Sequence, residues 1–146
     1  MEKILISACL VGDNCKYDGG NNLNPNIEAL LEKYELVPFC PEVEGDLSVP
    51  RNPSEIKNNK VIMKNENDYL DVTENFEKGA RKALMLCQYL KIKKAILKER
   101  SPSCGTHQIN DGSFSHKLIN GMGITAQKIM ENGIMVYSEE EINQLI

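Results

Sequence analysis

Four short apolar runs punctuate the chain: Ile4-Leu5-Ile6, Leu36-Val37-Pro38-Phe39, Ala95-Ile96-Leu97 and Ile134-Met135-Val136-Tyr137. Each is too short for a helix and is bounded by turn or charged residues, which is how a strand buried on both faces reads. The predicted strands cover residues 3–8, 36–39, 94–97 and 134–137. Between them the hydrophobic period lengthens. Pro25 opens a helix that puts Ile27, Leu30 and Leu31 on one face, with Tyr34 completing the spacing. Thr73 is a natural N-cap for a helix over 74–90, where Phe76, Ala80, Ala83, Leu84, Cys87 and Leu90 recur at helical spacing. A third helix runs from Gly123 to Asn132 with Gly133 as its stop, and Ser138 opposite Glu141 forms a capping box for a closing helix.

Two regions lack this regularity. Residues 40–59 contain Pro50 and Pro53, which exclude a helix interior. A strand at Lys60–Lys64 and a second at Tyr69–Val72 make a hairpin-like excursion around Asn65-Glu66-Asn67-Asp68. Residues 106–120 hold turn residues and no period. Alternating strands and helices predict one α/β domain over residues 1–146. Its sheet is mainly parallel with helices on both faces, a Rossmann-like three-layer arrangement.

The overall charge narrows the partners. Seventeen basic and 21 acidic side chains leave a net charge of −4, which argues against a nucleic-acid or anionic-membrane surface. With no Trp and 5% aromatic residues, a stacking platform for single strands is not expected either. No run of about 18 apolar residues is present, and the first residues lead directly into a strand without the features of a signal peptide. The expectation is a cytoplasmic protein without a membrane partner, in which free thiols stay reduced.

The cysteines change the picture most. There are five, an odd number that fits ligands or reactive thiols better than a disulfide framework. Cys87 sits at a core-facing helical position and reads as a small buried hydrophobe. Cys9, Cys40 and Cys104 each lie just past a predicted strand, and Cys15 occupies the turn-rich loop Asp13–Gly20. In a parallel sheet such loops share the carboxyl edge, where ligands bind. Zinc sites usually carry C-x-x-C pairs, and none occurs. A Cys–His pair would have to draw on His107 or His116, both in the stretch without a period. An iron–sulfur cluster accepts thiolates at irregular spacing, and three ligands would leave one iron open as a Lewis acid. A metal-free thiol enzyme using Cys15 or Cys104 stays open, as does a cluster- or metal-carrying sulfur-handling module without turnover.

Several motifs together resemble one small bacterial family, long described as a domain of unknown function, that includes iron–sulfur-dependent thiouracil desulfidases. They are S-A-C-L at 7–10, C-x-Y-D-G-G at 15–20, V-P-x-C-P-E at 37–42, D-V-T at 71–73, A-I-L-K-x-R-S-P-S-C-G at 95–105 and D-G-S-F at 111–114. The resemblance spans residue 3 to about 138. It implies a 4Fe–4S cluster held by Cys9, Cys40 and Cys104, with a thiolated pyrimidine such as 2-thiouracil as small-molecule substrate. Thiocarbonyl sulfur would go to the open iron and water would replace it at carbon, with no net electron transfer. Glu42, two residues after Cys40, is the expected base for that water, and Ser101 is expected to orient water or substrate. Ser103, Lys98, Cys15 and Asp18 are expected around the substrate or behind it: Lys98 to steady negative charge, Asp18 with Gly19 and Gly20 to shape the loop over the site. Neither the oligomeric state nor the role of Cys15 follows from the sequence.

Overall fold

The computed structural model describes residues 1–146. In chain order the strands are β1 (Glu2–Ser7), β2 (Tyr34–Phe39), β3 (Ser54–Lys57), β4 (Lys60–Lys64), β5 (Tyr69–Asp71), β6 (Lys94–Leu97), β7 (Gln108–Asn110), β8 (Leu118–Asn120) and β9 (Met135–Ser138). The α-helices are α1 (Ile27–Leu31), α2 (Pro41–Glu44), α3 (Thr73–Leu90) and α4 (Ile124–Glu131), and 3-10 turns cover Ala8–Val11 and Glu139–Gln144. The four predicted strands pair into a single parallel sheet in the order β2-β1-β6-β9.

Alternation along the central strands explains the layers, because successive side chains point to opposite faces. Leu5, Ala95 and Leu97 face α3 and α4, packing on Ala83, Cys87, Ala126 and Ile129. Ile4, Ile6 and Ile96 face the other way, onto Leu30 of α1 and onto Ile142 and Leu145 at the closing 3-10 turn. Both faces are therefore covered, as expected of an α/β domain. Cys87 is a core residue, and burial pushes its thiol up to about 11. No helix is long and apolar enough to cross a membrane.

Differences from the sequence reading cluster at short elements. Tyr34 does not finish α1; it starts β2 opposite Glu2, and its hydroxyl donates to the Leu145 carbonyl at 3.0 Å. Thr73 is the first helical residue rather than the cap, because its hydroxyl accepts the Val61 N–H at 2.8 Å and so ties α3 to β4. The predicted hairpin β4–β5 is present and gains β3 as a third antiparallel strand. Residues 106–120 contain the hairpin β7–β8. The irregular region after Cys40 opens with the single-turn helix α2.

One glycine fixes where α2 lies. A Cβ on Gly79 would stand 2.0 Å from the Pro41 carbonyl oxygen. Glycine in mid-helix costs about 1 kcal/mol against alanine, and here it allows the backbone of α3 to reach the turn that carries Cys40 and Glu42.

Candidate functional site

The connection from β1 leads to β2 on one side and that from β6 leads to β9 on the other, so the chain diverges between β1 and β6. A crevice outside the carboxyl ends of strands at such a switch point is the usual ligand site of open α/β sheets. A cavity of about 350 Å³ opens there, and Cys9, Cys15, Cys40 and Cys104 all line it. The convergence expected from strand ends is what the fold delivers.

Each thiol is placed by its own local structure. Beyond Ser7 the chain enters a 3-10 turn that carries Cys9 and is closed by Gly12 at φ 99°. The Asn22 side-chain amide donates to the Cys9 sulfur at 3.4 Å. Cys40 caps α2, with Pro41 at the first helical position. Cys104 lies on the S-P-S-C-G loop, where the Ser101 hydroxyl oxygen accepts the N–H groups of Ser103 and Cys104, both at 3.1 Å. The first turn of α4 closes that loop: the N–H groups of Ile124 and Thr125 donate to the carbonyls of Pro102 and Ser103, each at 2.9 Å. Gly123 permits the approach, since a Cβ there would lie 2.4 Å from the Ser103 carbonyl carbon.

The thiols influence one another. Burial pushes Cys9 up, against the Asn22 amide. Burial also carries Cys104 to about 12. Cys40 is drawn down to about 7 by a hydrogen bond from Cys15, against its own burial, and Cys15 is raised as the partner that keeps its proton. Turning these neighbouring thiols into thiolates needs positive charge at the sulfurs, which a soft metal group supplies. No three His, Cys, Asp or Glu side chains converge closely enough for a single metal ion. All four loop thiols line one cavity, a soft sulfur donor set of the kind an iron–sulfur cluster takes.

Glu42 stands at the wall of the same cavity with its carboxylate fully engaged. Oε1 accepts from Arg51 Nε at 3.1 Å, and Oε2 accepts from the Ser103 hydroxyl at 2.8 Å. Ser103 is in turn 2.9 Å from the Ser101 hydroxyl, so Ser101, Ser103 and Glu42 form a continuous chain of hydrogen-bonding oxygens. Lys98 lines the cavity, and its ammonium is held by Glu139 at 3.0 Å. Asp18 does not line the cavity: its carboxylate accepts the Gly20 N–H at 2.9 Å and shapes the loop that carries Cys15.

His107 turns away from the thiols, its Nδ1 lying 2.8 Å from Glu99 Oε2. It therefore makes no pair with Cys104. His116 does line the cavity. Glu99, 3% exposed, organises the backbone beyond Cys104. It accepts from the N–H groups of Thr106, His107 and Gln108 at 2.8–3.1 Å and from the Thr106 hydroxyl at 2.8 Å. Burial alone would raise its pKa, but these donors outweigh it and hold the carboxyl at about 2.

Sequence reasoning missed Arg51, Asn22 and Ser7, which all line the cavity. Arg51 is a lone cation among prolines, and nothing in its neighbourhood marks it before the chain is folded.

Comparison with known proteins places these features in context. Residues 4–141 match the model of the family described as 2-thiouracil desulfurase. A Bacillus subtilis (strain 168) protein, the uncharacterized protein YbbK, is 37% identical over 153 aligned residues, covering 98% of this chain and 99% of that one. Among solved structures, that of TudS, a 4Fe-4S-dependent thiouracil desulfidase, is similar with a TM-score of 0.91 and 40% identity. The likeness covers 99% of this chain and 95% of that chain.

Proposed function

The chain belongs to the 2-thiouracil desulfurase family, and on that footing we propose that it removes sulfur from a thiolated pyrimidine such as 2-thiouracil. The proposed cofactor is a 4Fe–4S cluster held by Cys9, Cys40 and Cys104. The observation that carries this reading is the meeting of three strand-end thiols in one cavity with the Glu42–Ser103–Ser101 chain on its wall. The described activity of TudS, a relative at 40% identity, points the same way. When bound, the cluster supplies a soft Lewis acid that prefers thiocarbonyl sulfur to carbonyl oxygen and makes sulfide a better leaving group.

The net change is hydrolytic. Water attacks the thiocarbonyl carbon, a carbon–oxygen bond forms, the carbon–sulfur bond breaks, and the products are the carbonyl pyrimidine and sulfide. No oxidant or reductant is consumed. Glu42 takes a proton as water attacks, and the Ser103 hydroxyl links it to Ser101. Ser101 has two backbone N–H groups donating to its oxygen, which fixes that oxygen against the loop and directs its own proton towards Ser103. Lys98, anchored on Glu139, sets a positive charge at the cavity edge. Cys15 lines the same cavity but lies outside the proposed ligand set.

Glu42→Gln tests the base. The variant should keep its iron and turn over about 10²–10⁴-fold more slowly. Undiminished turnover would remove Glu42 from the mechanism.

A further inference from the structure

Arg51 is a buried cation to which no motif drew attention. Its side chain is 5% exposed, and that of Glu42 is 14% exposed. Nε donates to Glu42 Oε1 at 3.1 Å. One terminal nitrogen donates to the Cys15 carbonyl at 2.9 Å and the other to the Ser48 carbonyl at 3.2 Å. The Arg51 backbone N–H donates to the Tyr17 carbonyl at 2.7 Å. A single residue thus joins the loop that carries Cys15, the turn that carries Cys40 and Glu42, and the segment leading into β3.

The geometry of the Glu42 contact is selective. Arg–carboxylate pairs are often bidentate, with both oxygens taken by the guanidinium fork. Here Arg51 spends its fork on two backbone carbonyls and offers Glu42 only Nε. One carboxylate oxygen is clamped, and the other is left to Ser103. The carboxylate cannot rotate away from the hydroxyl chain without breaking the Arg51 contact. This pairing leaves Oε2 to the Ser103 hydroxyl, the contact through which the relay runs.

We propose that Arg51 is the positioning residue for Glu42: it aims Oε2 at the Ser103–Ser101 pair and registers the Cys15 loop against the same turn. The inference rests on the reading of Glu42 as the base. Lysine would keep the charge but cannot reach three acceptors with a planar fork. A carboxylate loosened by about 1 Å is enough to slow a reaction by about 10²-fold without touching the reacting atoms.

The test is a double-mutant cycle on anaerobically reconstituted protein with 2-thiouracil, using Arg51→Lys, Glu42→Gln and the pair, with iron counted in each. Arg51→Lys should keep its iron, lose about 10–10²-fold in kcat and leave KM within about threefold. In the Glu42→Gln background, the same change should cost nothing further, because the two residues act as one unit. Wild-type turnover in Arg51→Lys, with Glu42→Gln slow, would overturn the role of Arg51 alone. Losses that multiply in the double variant would mean that Arg51 acts apart from Glu42 and would also overturn it. Loss of iron in Arg51→Lys would make it a brace for the thiol loops instead. Wild-type turnover in Glu42→Gln would remove the base and this inference together.

Discussion

Glu99→Gln offers a test of the loop that presents Cys104. Its carboxylate sits beneath that loop and gathers the N–H groups of residues 106–108. Glutamine has nearly the same shape but no charge, and its amide offers only one acceptor oxygen to these donors. The folded carboxyl lies at about 2, against an ordinary 4.5. At about 1.4 kcal/mol per pKa unit, that difference corresponds to roughly 3 kcal/mol of stability when the group is ionised. Because the folded value is depressed, the contribution is complete above about pH 4.5 and is lost as pH falls towards 2. About 2 kcal/mol of it should be gone by pH 3. Urea titration of the unreconstituted wild type and Glu99→Gln at pH 7 and pH 3 measures this directly. The expected gap is about 3 kcal/mol at pH 7 and closes by more than half at pH 3. In a chain of this size the neutral-pH gap is a fall of about 6–12 °C in Tm. Equal stability at pH 7, or a gap that does not move with pH, would refute the reasoning. His107 works in the opposite sense. Glu99 raises its pKa, so its contribution is present below the ordinary histidine range and fades as pH rises through its folded value.

Other predictions follow from single contacts. Gly79→Ala should improve helix propensity by about 1 kcal/mol, yet the added Cβ would sit 2.0 Å from the Pro41 carbonyl oxygen. The clash wins: denaturation should show a net loss of about 1–2 kcal/mol, and displacement of the Cys40 turn should lower iron content. A more stable variant would contradict this. Ser103→Ala should keep its iron but slow turnover by about 10²-fold, the lower end for proton-transfer catalysis; a wild-type rate would break the proposed hydroxyl chain. Cys87, fully buried with its thiol raised to about 11, should be alkylated by iodoacetamide well after Cys40, whose thiol is drawn down to about 7, and labelling of Cys87 ahead of Cys40, read by mass spectrometry, would contradict its place in the core.

Parts of this fold were legible before folding for a clear reason. Ile4–Ile6, Leu36–Phe39 and Ala95–Leu97 are continuous apolar runs, so their ends, and the cysteines after them, could be located from pattern alone. Gly133 at φ 90° and the Ser138–Glu141 capping box are local features that depend only on neighbours in sequence. What escaped was set by contacts across the chain. Strands β7 and β8, three residues each, carry no period and exist because they pair with each other. Tyr34 continues the apolar spacing of α1, and only its ladder to β1 makes it a strand residue. The candidate site divides the same way. Its thiols and Glu42 were visible in motifs, whereas Arg51 matters only because residues 15, 42 and 48 come within reach of its guanidinium.

The central claim is best tested by the product itself. After anaerobic reconstitution to about four irons per chain, incubation with 2-thiouracil should release uracil and sulfide in equal amounts. Protein left without iron should release neither. A fully loaded protein that yields no uracil, or iron-free protein that yields it at the same rate, would contradict the account.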